Sequence, residues 1–190
     1  MKNMKKIKKI LPVFCLFISI QTFAQTSSDE TPPNEEAAPV PSVYRAFSLG
    51  MGLDELKDAL AQDALFNFQE SDVSFVPSRT ENYVATTGFS FIRRALFQIK
   101  DEKVFVMSFT MDAARVDYYS MYMTLVRKYG EPKILDPKQA VWEDEKTRLT
   151  LERPLLVQYI DKEAFSRALD EAVAARNEEL EMRAEFLNEF

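Results

Sequence analysis

Apolar residues recur along this chain in three rhythms, and each rhythm predicts a different kind of element. The first is alternation. Phe89, Phe91, Ala95, Phe97 and Ile99 alternate with Ser90, Arg94, Gln98 and Lys100, which predicts a strand with one core-facing side. Arg93 interrupts that side and is expected near the strand's end. Lys100-Asp101-Glu102-Lys103 reads as a charged turn, and the stretch from Val104 to Met111 returns as the hairpin partner. Phe105, Met107 and Phe109 are expected on one face of that partner, with Val104 and Val106 on the other. A strand apolar on both faces belongs inside a sheet, covered by helix on at least one side. Val141-Trp142, the turn Asp144-Glu145-Lys146 and the run from Thr147 to Glu152 predict a second hairpin, followed by a strand from Leu155 to Ile160. Shorter strands are expected at Tyr44 to Leu49 and near Val73 to Val76, with Ser78 to Asn82 as loop.

The second rhythm is helical. Leu53, Leu56 and Leu60 share one face of a helix expected over roughly 53–65, with Asp54 and Glu55 in the first turn. Tyr118, Tyr122, Leu125, Val126 and Tyr129 mark another helix, capped by Asp112 or Asp117 and ended by Gly130 and Pro132. From Asp161 onward there is no Gly or Pro, and one long helix is predicted. Its apolar stripe is Phe165, Leu169, Ala172, Val173, Leu180, Ala184 and Leu187, interrupted by Arg176. The first half is expected to pack on the sheet and the charged second half to project. The fold class is therefore α+β: an antiparallel sheet with helices mainly on one face, plus a long C-terminal helix. The Asp-Glu-Lys triplet at 101–103 recurs at 144–146, a coincidence in preference to a sign of duplication, because the preceding helices lie at unequal distances.

The third rhythm is an almost uninterrupted apolar run. Ile10 to Ile20 follows five lysines at positions 2, 5, 6, 8 and 9, and Thr22-Phe23-Ala24 places small residues where a signal peptidase cuts. This predicts a secretory signal peptide removed before Gln25, in preference to a retained anchor. Lipidation at Cys15 is disfavoured because Phe14 stands where a small residue is needed. Residues 25–42 are Pro-rich and acidic, with Val40 the one large apolar residue, and read as a disordered tether. The organisation expected is a signal peptide at 1–24, a tether at 25–42, an α+β domain at 43–165 and a helical extension at 166–190.

Composition narrows the chemistry. The chain carries 24 basic and 30 acidic residues. Removing five lysines with the signal leaves 19 against 30, a net charge of −11. That field repels nucleic acid and anionic lipid surfaces, so neither is expected as a default partner. The chain has no histidine, and its one cysteine leaves with the signal. Ser-His-Asp and Cys-His catalysis and ordinary zinc sites are thereby excluded. No cofactor is expected, and no disulfide is needed.

Leu49-Gly-Met51-Gly-Leu-Asp54-Glu55-Leu56 is similar to the helix start of the BamE/SmpA-like outer-membrane assembly lipoproteins. Lys128-Tyr129-Gly130-Glu131-Pro132, with Trp142 in a following hairpin, looks like the helix end of related periplasmic domains. Both resemble the β-lactamase-inhibitor-like architecture, which implies helices packed on an antiparallel sheet. Gly52 stands where those families usually carry a capping Ser or Thr.

The candidate sites are few. Asp54, Glu55 and Asp58 read as a solvated helix face, and Glu143 to Glu145 as an exposed acidic turn. No catalytic, metal-binding or cofactor-binding residue is assigned. Arg93 and Arg94 are expected in local salt bridges, and Trp142 as a core anchor. Tyr119, Met121 and Met123 fall beside the main helix face. They mark either a helix buried on two sides or a partner-binding patch. Leu180, Ala184 and Leu187 are candidate partner-binding residues on the terminal helix. The expected function is that of a non-catalytic exported protein, periplasmic or envelope-associated, that binds another envelope protein. Alternatives are a carboxylate-dependent cell-wall glycan hydrolase and a secreted inhibitor of an enzyme.

Overall fold

The computed structural model describes residues 39–75 and 81–190. The signal segment and the tether up to residue 38 lie outside the described residues. Two short strands open the domain, β1 (Val43–Tyr44) and β2 (Phe47–Ser48). The single strand expected at Tyr44 to Leu49 is instead a tight hairpin, because Arg45 turns the chain with φ 56°. Helix α1 (Leu53–Gln62) follows, then β3 (Phe66–Asn67), a 3-10 turn at Glu70–Asp72 and β4 (Val73–Phe75). Next come β5 (Glu81–Gly88), β6 (Ile92–Lys100) and β7 (Lys103–Met111). The rest is α2 (Tyr118–Tyr129), β8 (Ile134–Leu135), β9 (Gln139–Glu143), β10 (Thr147–Glu152), β11 (Leu156–Asp161) and α3 (Lys162–Asn188).

The large sheet is antiparallel throughout, in the order β3-β5-β6-β7-β11-β10-β9-β8, with β4 also on β5. The fold is α+β, as the periodicities predict, and β7 is central. One face packs Val84, Phe97, Met107, Phe109, Leu149, Leu151 and Tyr159 against Leu56 and Leu60 of α1 and Leu125 of α2. Tyr44 of the small hairpin lies on the same face, its ring 4.5 Å from that of Phe109. On the opposite face, Phe105, Val106 and Ile160 are covered by Ala164 and Ala168 of α3.

Several sequence expectations shift in the structure. The β6–β7 register slips between Gln98 and Ile99. That irregularity puts Phe105 with Val106 under α3 and sends Val104 to the main core, so the expected faces of Phe105 and Val104 are corrected, while Val106 lies opposite Met107 and Phe109 as expected. Phe89 and Phe91 are not strand residues but belong to the β5–β6 turn, and both are exposed. Arg93 stands at the register shift between Ile92 and Arg94, near the start of β6. Glu81 and Asn82 lie in β5 and not in a loop. The stripe Phe165, Leu169 and Val173 faces solvent, because α3 turns its two small residues to the sheet. The packing also extends past the expected boundary at 165, where Glu171 pairs with the buried ammonium of Lys100. Val40, at the end of the expected tether, packs against the main core. No helix among the described residues is long and apolar enough to cross a membrane.

Candidate functional site

The candidate residues fall on two helices, and the caps of those helices explain their placement. Asp117 accepts the Ser120 hydroxyl at 2.6 Å and the Ser120 amide at 2.8 Å, and these bonds start α2 and hold its carboxyl below the usual range. At the other end Gly130 takes φ 75°, a conformation glycine adopts at no steric cost. The indole N–H of Trp142 donates to the Gly130 carbonyl at 2.8 Å, tying the helix end to β9. Trp142 is buried, a core anchor in β9.

Between these fixed ends the three α2 candidates separate. Tyr119 and Met123 are four residues apart and share one face. Tyr119 is 69% exposed and Met123 is half-buried. Met121 lies on the far side and packs against the core beside Tyr118 and Tyr122. Met121 is half-buried with its side chain on the core, while Tyr119 and Met123 lie on the other side of the helix. Burial raises the Tyr118 and Tyr129 phenols, and the Arg153 guanidinium sits 4.0 Å over the Tyr118 ring.

On α3, Asp161 caps the start through the Ala164 amide at 3.0 Å. From Leu169 to the end every side chain is exposed. Leu180, Ala184 and Leu187 lie at i, i+4 and i+7 on one exposed face, as their spacing predicts. Met182, Phe186 and Phe190 form a second exposed apolar row that the sequence reading missed, with the last two rings 5.2 Å apart. The signal was present as three apolar residues four apart within a Glu-rich run.

The acidic groups are engaged in local structure. The Glu55 carboxylate accepts the Gly52 amide at the start of α1, while Asp54 and Asp58 are exposed. Glu143 pairs with Arg148 at 2.9 Å, and that hydrogen bond holds its carboxyl below the usual range against partial desolvation. Burial pushes Asp144 up, but amide bonds from Thr147, Lys146 and Val40 outweigh it and leave it below the usual value. Asp63 is likewise opposed by desolvation and lowered by the Arg45 guanidinium, 2.7 Å away, and by the Leu65 amide. Among the described residues no three acids gather into a metal-binding group. Among the described residues the expected salt bridges of Arg93 and Arg94 are not found, since no described carboxylate lies within 4.0 Å of either.

No curated protein and no solved structure matches the chain. The TP0088 domain matches residues 42–171, from the first strand to the glutamate that clasps Lys100. The chain belongs to the TP0088 domain family.

Proposed function

We propose that this is a non-catalytic exported protein, periplasmic or envelope-associated, that acts by binding another protein of the envelope. One observation carries the reading. The distal half of α3 exposes Leu180, Met182, Phe186 and Leu187, and Phe190 follows just past its end, each more than half accessible. Isolated helices of that length are marginal in water, so a partner that covers this apolar surface gives the segment a reason to be helical. The acids described above serve caps, turns and ion pairs, which favours binding over carboxylate catalysis.

The test is a pull-down from envelope extract with the exported chain and with a form truncated after Ala175. The full chain is expected to recover a stoichiometric partner and the truncated form to lose it. Melting should stay nearly unchanged, because every side chain beyond Ala175 is exposed and the Glu171 ion pair with Lys100 is retained. Equal recovery by both forms refutes the role of α3, and glycan turnover without a partner refutes the binding reading. An intact mass beginning at Gln25 checks export.

A further inference from the structure

We propose that the β5–β6 turn is a membrane-docking tip, in which Phe89 and Phe91 enter the interfacial layer of a lipid surface while Arg93 and Arg94 meet its anionic headgroups. Phe89 and Phe91 are each 53% exposed, on either side of Ser90, which takes φ 59°. Aromatic side chains this open at the crest of a turn fit an apolar layer that the tip can enter.

The backbone beneath them is fixed. The Phe89 amide donates to Leu65 O at 2.8 Å, and the Phe91 carbonyl accepts the Asp112 amide at 2.9 Å. Gly88 closes the base of the turn, since a Cβ there would lie 2.5 Å from Ile92 O. The two rings are thus held outward on a rigid mount, and little ordering is required on docking.

The cations stand at the matching depth. A strand rises about 3.3 Å per residue, which puts Arg93 and Arg94 roughly 7–10 Å behind Phe91. That is about the distance between the acyl boundary and the phosphates for an interfacially bound element. Both arginines are exposed, and no described carboxylate pairs with either. The acid bonded to the turn, Asp112, is itself balanced by Arg115 at 3.5 Å. The net negative charge of the chain opposes approach at long range. At physiological salt, however, interactions between exposed charges are screened beyond about 8 Å, so the local arginines dominate at contact.

Every described element lies between Val43 and Asn188, so the form without residues 1–24 retains all of them and is the one to test. It is mixed with sedimentable vesicles of phosphatidylcholine, with or without a quarter of phosphatidylglycerol. Binding is expected to the mixed vesicles and to weaken in high salt. Phe89→Ser/Phe91→Ser should abolish it, and Arg93→Gln/Arg94→Gln should lower the partition by about fivefold per arginine. Both variants should melt like the wild type, because the altered side chains are exposed. No sedimentation of the wild type overturns the proposal, and so does equal sedimentation of the phenylalanine variant. If vesicles fail but that variant loses a co-purifying protein, the tip belongs to a protein interface instead. The outcome is independent of α3, so failure here leaves the partner reading untouched.

Discussion

Residues 53–111 and 118–161 follow the same plan with opposite surface chemistry. Each half runs helix, short edge strand and three longer antiparallel strands: α1, β3, β5, β6, β7 in one, where a 3-10 turn and β4 are inserted after β3, and α2, β8, β9, β10, β11 in the other. The sheet order reads the same from both ends, and the halves meet where β7 pairs with β11. Equivalent turns nevertheless differ. The first hairpin of one half is tipped by Phe89 and Phe91, and that of the other by Asp144, Glu145 and Lys146. The two Asp-Glu-Lys triplets therefore occupy non-equivalent turns, one in the second hairpin of its half and one in the first. Their recurrence is coincidental, while the repeated element order is a property of the fold. What the halves share is the pattern that builds a core, and what distinguishes them is where each meets its surroundings.

The seam between the halves is where a mutation should do most damage. Phe109 is fully buried, and its ring touches those of Tyr44, Phe97 and Tyr159, which spans both halves. Phe109→Ala is expected to cost about 3–5 kcal/mol in urea unfolding. Phe165→Ala is the contrast, because that ring is 39% exposed and lies outside both core clusters. It should cost about 1 kcal/mol or less. Similar losses at the two sites would mean that α3 is as much part of the core as the seam.

How much of this was legible follows from where a residue's partner lies. The alternating stretches of β6 from Ala95 to Ile99 and of β10, the start of α3 at Asp161 and the stop of α2 at Gly130 were readable because their signals are local. Strand β5 was not, since Tyr83 and Thr87 lie outside the main core and Val84 is the one large apolar residue that it places there. The register shift that redirects Phe105 depends on pairing between strands and has no mark in either one alone. The candidate site was half legible. Spacing placed Leu180, Ala184 and Leu187 correctly at the surface, but the side of α2 that holds Met121 is decided by the sheet beneath it. The exposed turn was hidden for a similar reason: Phe89 and Phe91 continue the period of β6, and only the hairpin geometry removes them from it.

The two helix ends offer the next contrast. In the second half the Trp142 indole satisfies the Gly130 carbonyl, whereas in the first half Asp63 accepts the Leu65 amide and an Arg45 ion pair. Trp142→Phe keeps an aromatic in the core but removes the donor. A loss of about 1–3 kcal/mol is expected from the stranded carbonyl and the missing volume. Arg45→Ala acts on an exposed guanidinium and should cost less, about 1 kcal/mol or below. If the order reverses, the first half holds its helix more firmly than its second-half counterpart.

The turn at the end of β6 has a two-residue form that the second half lacks. Asp101 and Glu102 both have positive φ, 51° and 62°, which fits a two-residue hairpin turn that favours Asn-Gly. Glu102→Gly should therefore stabilise the domain by about 0.5–1 kcal/mol, read as a higher melting temperature. A fall in stability would show that the Glu102 side chain makes a contact worth more than the strain it carries.

The smallest effect expected is electrostatic, and it concerns the acidic turn opposite the aromatic one. Asp144 accepts the Lys146 and Thr147 amides at 2.9 and 2.7 Å, and these bonds help to hold its carboxyl below the ordinary value of 3.8. A group whose pKa is depressed by folding contributes stability that is complete above the unfolded value and drains away as the pH falls through the folded one. Melting should accordingly be level between pH 7 and about 5, then decline below about 4 as Asp144, Glu143 and Asp63 take up protons. Asp144→Asn retains a carbonyl acceptor but not the charge. Its melting temperature should lie slightly below that of the wild type at neutral pH, and the two should converge in acid. The phenylalanine turn has no carboxylate of its own, so Phe89→Ser/Phe91→Ser should leave the acid profile unchanged. A gap between wild type and Asp144→Asn that stays constant from pH 6 to pH 3 would show that the bonds at this turn do not depend on its charge.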